Sequence, residues 1–293
     1  MMIIFVVGPT AVGKSEAALD IAEKIGAEII NADAMQLYRG MDVGTAKVSI
    51  HDRRGITHHM LDVLDVTEEA SVAVYQQKVR DILKNDAKSY IVVGGSGLYI
   101  SSLLQDLKFP PNDPEVRSQI ELRGIEIGAA ALHKELAEKD PAAAVAILPG
   151  NLRRIVRALE VIEITGQPFT ATLPKADQSQ IPHAHRLGIS LPRNVLDQRI
   201  VNRVDLMWEQ GLVNEVDQLV ERGLLLGKTA RAALGYSQIL TNRHDLELAR
   251  EQTKVATKKY ARRQESWFKR DPRIDWIESG NHMKWFNNLA STA

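Results

Sequence analysis

Cysteine is absent from the 293-residue sequence, and its absence excludes disulfide scaffolds, thiolate metal sites and cysteine nucleophiles. Long apolar runs are absent too, because none approaches the roughly 18 consecutive apolar residues that a membrane helix needs. The opening segment Met1–Val7 has no basic flank before it, so it predicts a first β-strand rather than a signal peptide. We therefore expect a cytoplasmic protein without a membrane segment.

An excess of one charge is also absent, since 37 Lys and Arg residues balance 37 Asp and Glu residues. The neutral total excludes a global field that would attract nucleic acid or a membrane. A site for a polyanion therefore has to be a local concentration of basic residues. The length suits one large domain, or a domain with an insert.

Short apolar runs alternate with segments of helical periodicity in the first hundred residues, and this alternation predicts a parallel sheet with helices on both faces. The predicted elements are strands at Ile3–Val7, Glu28–Ile30 and Tyr90–Val93 and helices at Ser15–Gly26 and Ser71–Asn85. A breaker cluster, Phe109–Pro114, then precedes a helical stretch. We predict a helical insert domain at 113–182 within an α/β core at 1–112 and 183–293, where Leu187–Leu191 forms a returning strand.

A phosphate-binding loop follows the first predicted strand. Gly8–Ser15 matches G-x-x-x-x-G-K-[ST], with an apolar strand before it and a helix at its end. The backbone N–H groups of such a loop surround phosphate oxygens at a helix N-terminus, Lys14 adds a cation, and the Ser15 hydroxyl suits Mg²⁺. We predict that the whole loop binds a di- or triphosphate: Gly8, Pro9, Thr10, Ala11, Val12, Gly13, Lys14 and Ser15.

The acidic residue expected beside this loop is displaced. Nucleotide kinases commonly hold Mg²⁺ with an Asp that ends a neighbouring apolar strand, but Ile91–Gly97 contains no acid, and Asp33 follows the second strand instead. Ligands of open α/β sheets bind beyond the carboxyl ends of the strands, so Gly8–Ser15, Asp33 and Gly94–Gly97 should face one crevice. From the residues alone, Asp33 could equally be a helix cap or a solvated loop acid.

Eight segments in chain order resemble the bacterial tRNA dimethylallyltransferases, also called tRNA isopentenyltransferases. They are Gly8–Glu16, Asn31–Lys47, Gly55–Asp62, Val93–Ile100, Arg153–Val161, Arg203–Val216, Ala233–Gln238 and Ala261–Phe268. The resemblance implies transfer of a dimethylallyl group from dimethylallyl diphosphate to the exocyclic N6 amine of the adenosine 3′ of the tRNA anticodon. By resemblance, Asp33 is the base for this amine and Ser96 a hydroxyl partner near it, while Lys14 and Mg²⁺ stabilise the departing diphosphate. The family usually has Ser where Ala34 stands and Thr where Ser96 stands.

Two basic regions are the candidate tRNA surfaces. Thr253–Arg273 holds eight basic and two acidic residues, and its spacing predicts a basic helical face with interleaved aromatics; Trp267 and Phe268 we assign to the core instead. In the helix from Asn151, Arg153, Arg154 and Arg157 alone favour surface ion pairs with nearby Glu residues, but the resemblance assigns this stretch to tRNA. The predicted tRNA contacts are Asp33, Ala34, Met35, Gln36, Ser96, Arg153, Arg154, Ile155, Val156, Arg157, Lys258, Arg262, Arg263 and Gln264.

Three other functions remain as alternatives. An adenylate isopentenyltransferase would use free AMP, ADP or ATP and would need no extended RNA surface. A small-molecule kinase would need the missing strand-end Asp, and a non-catalytic RNA-binding protein would leave the phosphate loop unused. His58 and His59 are adjacent and cannot easily reach one ion, so we interpret them as structural, and without cysteine the chain lacks the zinc finger of eukaryotic relatives. No obligate protein partner is evident.

Overall fold

The structure is a computed structural model, and it describes residues 2–85, 87–105, 107, 109–169, 181 and 183–292. The chain divides into two compact units, one formed by Met1–Gln105 with Ser179–Ala293 and the other by Asp106–Gln178. The predicted boundaries of the insert were 112/113 and 182/183. The second of these, with most of the loose stretch before it, lies outside the described residues.

The first unit contains a sheet in which, over the described residues, six strands pair in parallel. The strands are β1 (Ile3–Val7), β2 (Glu28–Asn31), β3 (His58–His59), β4 (Tyr90–Gly94), β5 (His185–Ser190) and β6 (Asp275–Glu278). Their order is β3-β2-β4-β1-β5-β6, so the strand before the phosphate loop lies near the centre. The predicted α/β fold class is confirmed.

Helices cover both faces of this sheet. In the first unit they are α1 (Lys14–Ile25), α2 (Val72–Leu83), α3 (Gly97–Leu104), α8 (Arg193–Glu209), α9 (Leu212–Glu221), α10 (Tyr236–Thr241), α11 (Leu246–Phe268) and α12 (His282–Thr292). In the second unit they are α4 (Pro114–Ile127), α5 (Ala129–Lys139), α6 (Pro141–Ala146) and α7 (Leu152–Thr165). None of the helices in the described ranges is both long and apolar enough to span a membrane.

The alternation of side chains along β1 explains the two-faced core. Phe5 points into a cluster with residues of α2 and α3, whereas its neighbours Ile4 and Val6 point into a cluster with residues of α1 and α8. This is the period of two that a strand buried on both faces requires. Both layers therefore hold the central strand and the loop that follows it.

Local signals in the sequence set the ends of the first helices. Gly26 ends α1 in the left-handed conformation, with φ at 64°, and its N–H bonds to the carbonyl of Ala22. Ser71 begins α2 by accepting a hydrogen bond from the Val74 amide. The short strands β3 and β6 carried too little apolar pattern for prediction.

Candidate active site at the carboxyl edge of the sheet

The phosphate loop joins β1 to α1 through a strained turn. Gly8 has φ at 144°, and a Cβ atom there would lie 2.5 Å from the carbonyl oxygen of Ile189 on β5, so only glycine fits. Ala11 is left-handed, with φ at 64°, although it is not glycine. Strain of this kind in non-glycine residues concentrates at ligand-binding loops.

Lys14 points back onto its own loop. Its Nζ donates a hydrogen bond to the carbonyl of Pro9 at 2.7 Å. Burial and then the positive charge of Arg203 lower the pKa of Lys14 to about 7, against the opposing effect of the Asp33 carboxylate. The ammonium therefore lies between a cation and a carboxylate in a site that would favour an added anion.

Asp33 follows β2 in a turn organised by Asn31. The Asn31 side chain accepts a hydrogen bond from the Asp33 amide at 3.0 Å and donates to the Asp33 and Met60 carbonyls. Oδ1 of Asp33 accepts a hydrogen bond from the Met35 amide at 3.0 Å. The carboxylate therefore closes a turn, but it is not the cap of the short 3-10 helix Met35–Leu37, whose N-cap residue is Ala34. It also lines the cavities described below.

Ser96 precedes α3 but does not cap that helix. Its Oγ instead accepts a hydrogen bond from the Ala34 amide at 3.1 Å, and its own amide donates to the Ala32 carbonyl. These bonds join the turn after β4 to the turn that carries Asp33. The two segments predicted to share a crevice therefore do lie side by side.

Gln264 is one of the predicted tRNA contacts, but its side chain lies buried inside the site. Only 4% of the residue is exposed, its Oε1 accepts a hydrogen bond from the Thr10 amide at 2.8 Å, and its Nε2 donates to the Gly95 carbonyl at 2.9 Å. The side chain links the phosphate loop to the turn after β4. It also occupies the Thr10 amide, which is therefore not available to a phosphate in this structure.

Two cavities meet beside Asp33. The polar cavity, of about 410 Å³, includes Lys14, Ser15, Asn31, Gln36, Gly94 and Arg199 in its wall. The apolar cavity, of about 300 Å³, includes Met35, Ile200, Val204, Met207, Leu234 and Tyr260. Both are also lined by Thr10, Asp33, Thr45 and Arg203. Of the predicted phosphate-loop residues, Gly8, Pro9 and Val12 are buried and do not line either cavity.

Arg203 is a site residue for which no role was predicted. It belongs to α8, and its Nη1 donates to the Thr10 hydroxyl at 3.4 Å. Burial lowers the pKa of Arg203, and the negative charge of Asp33 opposes this effect. A signal was present, because Arg203 lies three residues after the buried Ile200 and next to the buried Val204. An arginine on a buried helical stripe needs an anion nearby.

The Tyr260 phenol lies beside Ser96 and Gln264. Burial and then the Asp33 charge raise the pKa of Tyr260 to about 12, while hydrogen bonds with Ser96 and Gln264 act in the opposite direction. The phenol is therefore protonated at neutral pH. Arg263, predicted as a tRNA contact, lies over the Tyr260 ring at 5.6 Å and lines the apolar cavity.

The basic face of α11 is smaller than predicted. Lys254 is 12% exposed and pairs with Asp205 and Glu251 at 2.7 Å, so its charge is already neutralised. Lys258 is half-buried and Arg262 is exposed. The expected core positions are confirmed for Phe268, which is buried, and for Trp267, which packs partly buried against the same cluster.

The predicted tRNA stretch of α7 divides into three kinds of residue within the second unit. Arg153 and Arg154 are exposed. Ile155 and Val156 are buried in the core of the unit, so their side chains cannot touch RNA in this structure. Arg157 pairs with Glu160, as its sequence alone favoured, but Glu160 is buried rather than on the surface. Arg157 also donates hydrogen bonds to the carbonyls of Pro110 and Pro111, which were not predicted.

Glu160 explains why Arg157 is held. No part of its side chain is exposed, and it accepts hydrogen bonds from the Asp113 amide and from Arg117 as well as from Arg157. Removing one partner of a buried charge pair is costly. Arg157 therefore has a structural role in the second unit.

The two adjacent histidines have ordinary polar contacts. His58 Nδ1 lies 2.8 Å from the Ile56 carbonyl, and His59 Nε2 lies 2.7 Å from a carboxylate oxygen of Glu28. Among the described residues, no group of three or more His, Asp or Glu side chains could hold a metal ion.

Comparisons with known proteins identify the family of this chain. Residues 36–271 match the family model described as IPP transferase. A tRNA dimethylallyltransferase of Mycobacterium avium is 52% identical over 288 residues, which cover 94% of this chain and 93% of the relative. Among solved structures, the tRNA isopentenylpyrophosphate transferase of Bacillus halodurans aligns with a TM-score of 0.70 at 33% identity, over 99% of this chain and 96% of that one. A eukaryotic dimethylallyltransferase acting on tRNA aligns with a TM-score of 0.78 at 25% identity, over 100% of this chain and 77% of that one.

Proposed function

The chain belongs to the IPP transferase family, and from that premise we propose that it is a tRNA dimethylallyltransferase. It moves a dimethylallyl group from dimethylallyl diphosphate to the N6 amine of the adenosine 3′ of the tRNA anticodon. The observation that carries this assignment is that a polar and an apolar cavity meet at one carboxylate, Asp33. A tRNA substrate also implies a cytoplasmic enzyme.

The polar cavity suits the diphosphate. Three basic side chains line it beside the phosphate loop, those of Lys14, Arg199 and Arg203, and a bound anion favours the protonated form of Lys14. As the allylic C–O bond breaks, negative charge grows on the diphosphate oxygens, and fixed cations and N–H groups stabilise that charge more in the transition state than before it. The diphosphate leaves whole, taking the electron pair of the broken bond.

The acceptor amine belongs next to Asp33. An adenine amine is a weak nucleophile because its lone pair is delocalised into the ring, so a carboxylate that accepts its N–H hydrogen bond and then takes the proton assists attack on the allylic carbon. The apolar wall suits the flat base and the allyl chain. Since the amine is unreachable in a stacked base, the adenosine has to be flipped out.

Magnesium fits this site only with ligands from the substrate. Ser15 lines the polar cavity and offers one hydroxyl, and Mg²⁺ commonly keeps several waters and binds mainly through phosphate oxygens. We propose that Ser15 holds Mg²⁺ together with the diphosphate. The ion would supply positive charge against the leaving group.

The deciding experiment offers radiolabelled dimethylallyl diphosphate with tRNA, AMP, ADP or ATP as separate acceptors. We expect label to enter tRNA only. Transfer to a free nucleotide would favour the adenylate isopentenyltransferase, and transfer to no acceptor would contradict both readings.

We expect binding of tRNA to weaken steeply with salt, because each phosphate contact releases counterions and contributes a log–log slope of about −0.7 on single-stranded RNA. Replacing Lys258 and Arg262 together by Ala should flatten this slope by roughly one unit or more if both side chains touch phosphates. Titrating each protein with the anticodon stem-loop at several salt concentrations measures this slope.

The matched control for that slope is Lys84→Ala, which removes a surface lysine paired with Asp81 after α2. Its slope should equal that of the unaltered protein. An unchanged slope in the double variant would remove Lys258 and Arg262 from the RNA surface and leave Arg153, Arg154 and Arg263 as exposed candidates.

Affinity for the diphosphate should fall as the pH rises above about 7. Lys14 in the free protein has a pKa of about 7, and a bound anion raises the pKa of a neighbouring cation. Binding therefore takes up a proton above pH 7, and affinity decreases by up to about tenfold per pH unit until the pKa in the complex is reached. Calorimetric titration of inorganic pyrophosphate in buffers of different ionisation enthalpy measures the uptake. Lys14→Ala should lose this component and keep only the ligand's own ionisation.

A further inference from the structure

Glu215 and Tyr236 lie in two of the segments that resemble the tRNA dimethylallyltransferases. They have no part in the chemistry above, yet their side chains contact one another. The Glu215 carboxylate accepts hydrogen bonds from three consecutive amides, those of Asp42 at 3.0 Å, Val43 at 2.7 Å and Gly44 at 3.1 Å. The Tyr236 hydroxyl donates to the same carboxylate at 2.5 Å. One side chain of α9 therefore holds a whole turn of backbone.

The ring of Tyr236 fixes the turn from its other side. Tyr236 is fully buried, and a Cβ atom on Gly44 would lie 2.5 Å from its Cε2 atom. Glycine is thus the residue that lets the turn approach the ring. Burial and the neighbouring Glu215 charge raise the pKa of Tyr236, so its hydroxyl remains a hydrogen-bond donor.

The far end of the turn has its own attachment. Lys47, with 3% of its side chain exposed, pairs with Asp42 and Asp62 at 2.6 Å and donates to the Tyr38 carbonyl at 2.8 Å. Between these two attachments, Ala46 is left-handed with φ at 49°, a conformation unfavourable for a residue with a Cβ atom. The turn has two backbone hydrogen bonds of its own, from the Ala46 amide to the Val43 carbonyl and from the Lys47 amide to the Asp42 carbonyl, both at 3.0 Å. The contacts of Glu215 and Lys47 add to these bonds and fix where the turn lies.

The turn formed by residues 42–46 is part of the wall of both cavities. Thr45 and Ala46 line the polar cavity, and Gly44 and Thr45 line the apolar one. The Thr45 carbonyl accepts a hydrogen bond from the side-chain Nε2 of Gln36 at 3.0 Å, and Gln36 lines the polar cavity as well. A shift of the turn would therefore move wall atoms in both cavities and release Gln36.

We propose that Glu215 and Tyr236 are positioning residues, which hold the turn 42–46 so that the allylic diphosphate is bound facing Asp33. Neither side chain lines the two cavities in the described part of the chain, so both act through the turn. The inference rests on the proposed function. Because Lys47 still holds the other end, loss of Glu215 should loosen the turn without releasing it.

Glu215→Gln tests the inference with little change in size. Its NH₂ group cannot accept a hydrogen bond, so at least one of the three turn amides loses its partner. We expect the KM for dimethylallyl diphosphate to rise about tenfold or more, because small misplacements of reacting groups have large effects. The KM for tRNA should rise much less, because phosphate contacts supply most of the affinity for RNA and the exposed Arg262 and Arg263 of α11 are not hydrogen-bond partners of Glu215.

A matched control separates positioning from lost stability. Asp245 caps α11 by accepting a hydrogen bond from the Leu248 amide, so Asp245→Ala should lower the melting temperature of the same unit and leave both KM values unchanged. Tyr236→Phe should raise the KM for the diphosphate by a smaller factor, and should add little to Glu215→Gln because both act on one carboxylate.

A binding measurement keeps this test apart from the test of the function. The Kd for inorganic pyrophosphate, measured by calorimetry without tRNA, should also rise about tenfold in Glu215→Gln. If the unaltered protein failed to prenylate tRNA, the proposed function would fall while this Kd still reported on the turn. A folded Glu215→Gln protein with an unchanged KM and an unchanged pyrophosphate Kd would overturn the inference.

Discussion

Asp33→Asn is expected to lower kcat by about 10²–10⁴-fold, the contribution of a general base. The amide keeps an oxygen for the Met35 amide, whose hydrogen bond now goes to Oδ1 of Asp33, so the turn should keep its shape. It cannot take a proton from the adenosine amine. Single-turnover transfer of label to tRNA measures the loss.

The kcat of Asp33→Asn has to be compared with that of the unaltered protein at about pH 6. The Asp33 charge raises the pKa of Lys14, so its removal lowers that pKa further and would weaken diphosphate binding at neutral pH. At about pH 6, one unit below its pKa of about 7, Lys14 is mostly protonated in the unaltered protein, and the lower pH also favours the protonated form in the variant. Binding of pyrophosphate should then be equal, and a kcat near that of the unaltered enzyme would remove Asp33 as the base.

Lys14→Ala is expected to lower kcat/KM for dimethylallyl diphosphate by about 10²–10³-fold, as the loss of one strong donor to a developing anion does. Both the affinity for the diphosphate and kcat should fall, because the ammonium binds oxygens whose charge increases as the bond breaks. The Kd for tRNA should hardly change. Steady-state kinetics with each substrate varied, together with a tRNA titration, measures all three.

Lys24→Ala is the matched control, since Lys24 is an exposed lysine on the same helix α1. It removes the same charge without touching either cavity, so its kinetic constants should be those of the unaltered enzyme. If Lys14→Ala instead lost tRNA binding and kept its diphosphate affinity, the phosphate loop would have been assigned to the wrong substrate.

The crevice could be predicted from sequence because its determinants are local. Apolar runs with glycine after them mark the strands, and the rule for the carboxyl ends of parallel strands brings their following turns together. The order β2-β4-β1 then places Asp33, Ser96 and the phosphate loop in the turns that follow three adjacent strands. This prediction needed no knowledge of contacts between residues far apart in the sequence.

Gln264 and Arg157 show what local patterns miss. Polar and charged residues are mostly exposed, so a glutamine in a basic helix and an arginine beside other arginines were assigned to the surface. Their real partners are the Thr10 amide for Gln264 and the carbonyls of Pro110 and Pro111 for Arg157. Contacts over such separations depend on tertiary packing that no helical period contains.

The position of β1 also has a consequence for how the active site is made during synthesis. Ile4 pairs with Ile91 on one side and with His185 on the other, and the Gly8 turn packs against the carbonyl of Ile189. Contacts between residues so far apart in sequence form slowly, because a long loop has to close before they stabilise the chain. The phosphate loop therefore leaves the ribosome well before the β5 residues that it packs against, and it is among the last segments to reach its native backbone conformation. Until β5 emerges, one edge of β1 is unpaired and open to aggregation.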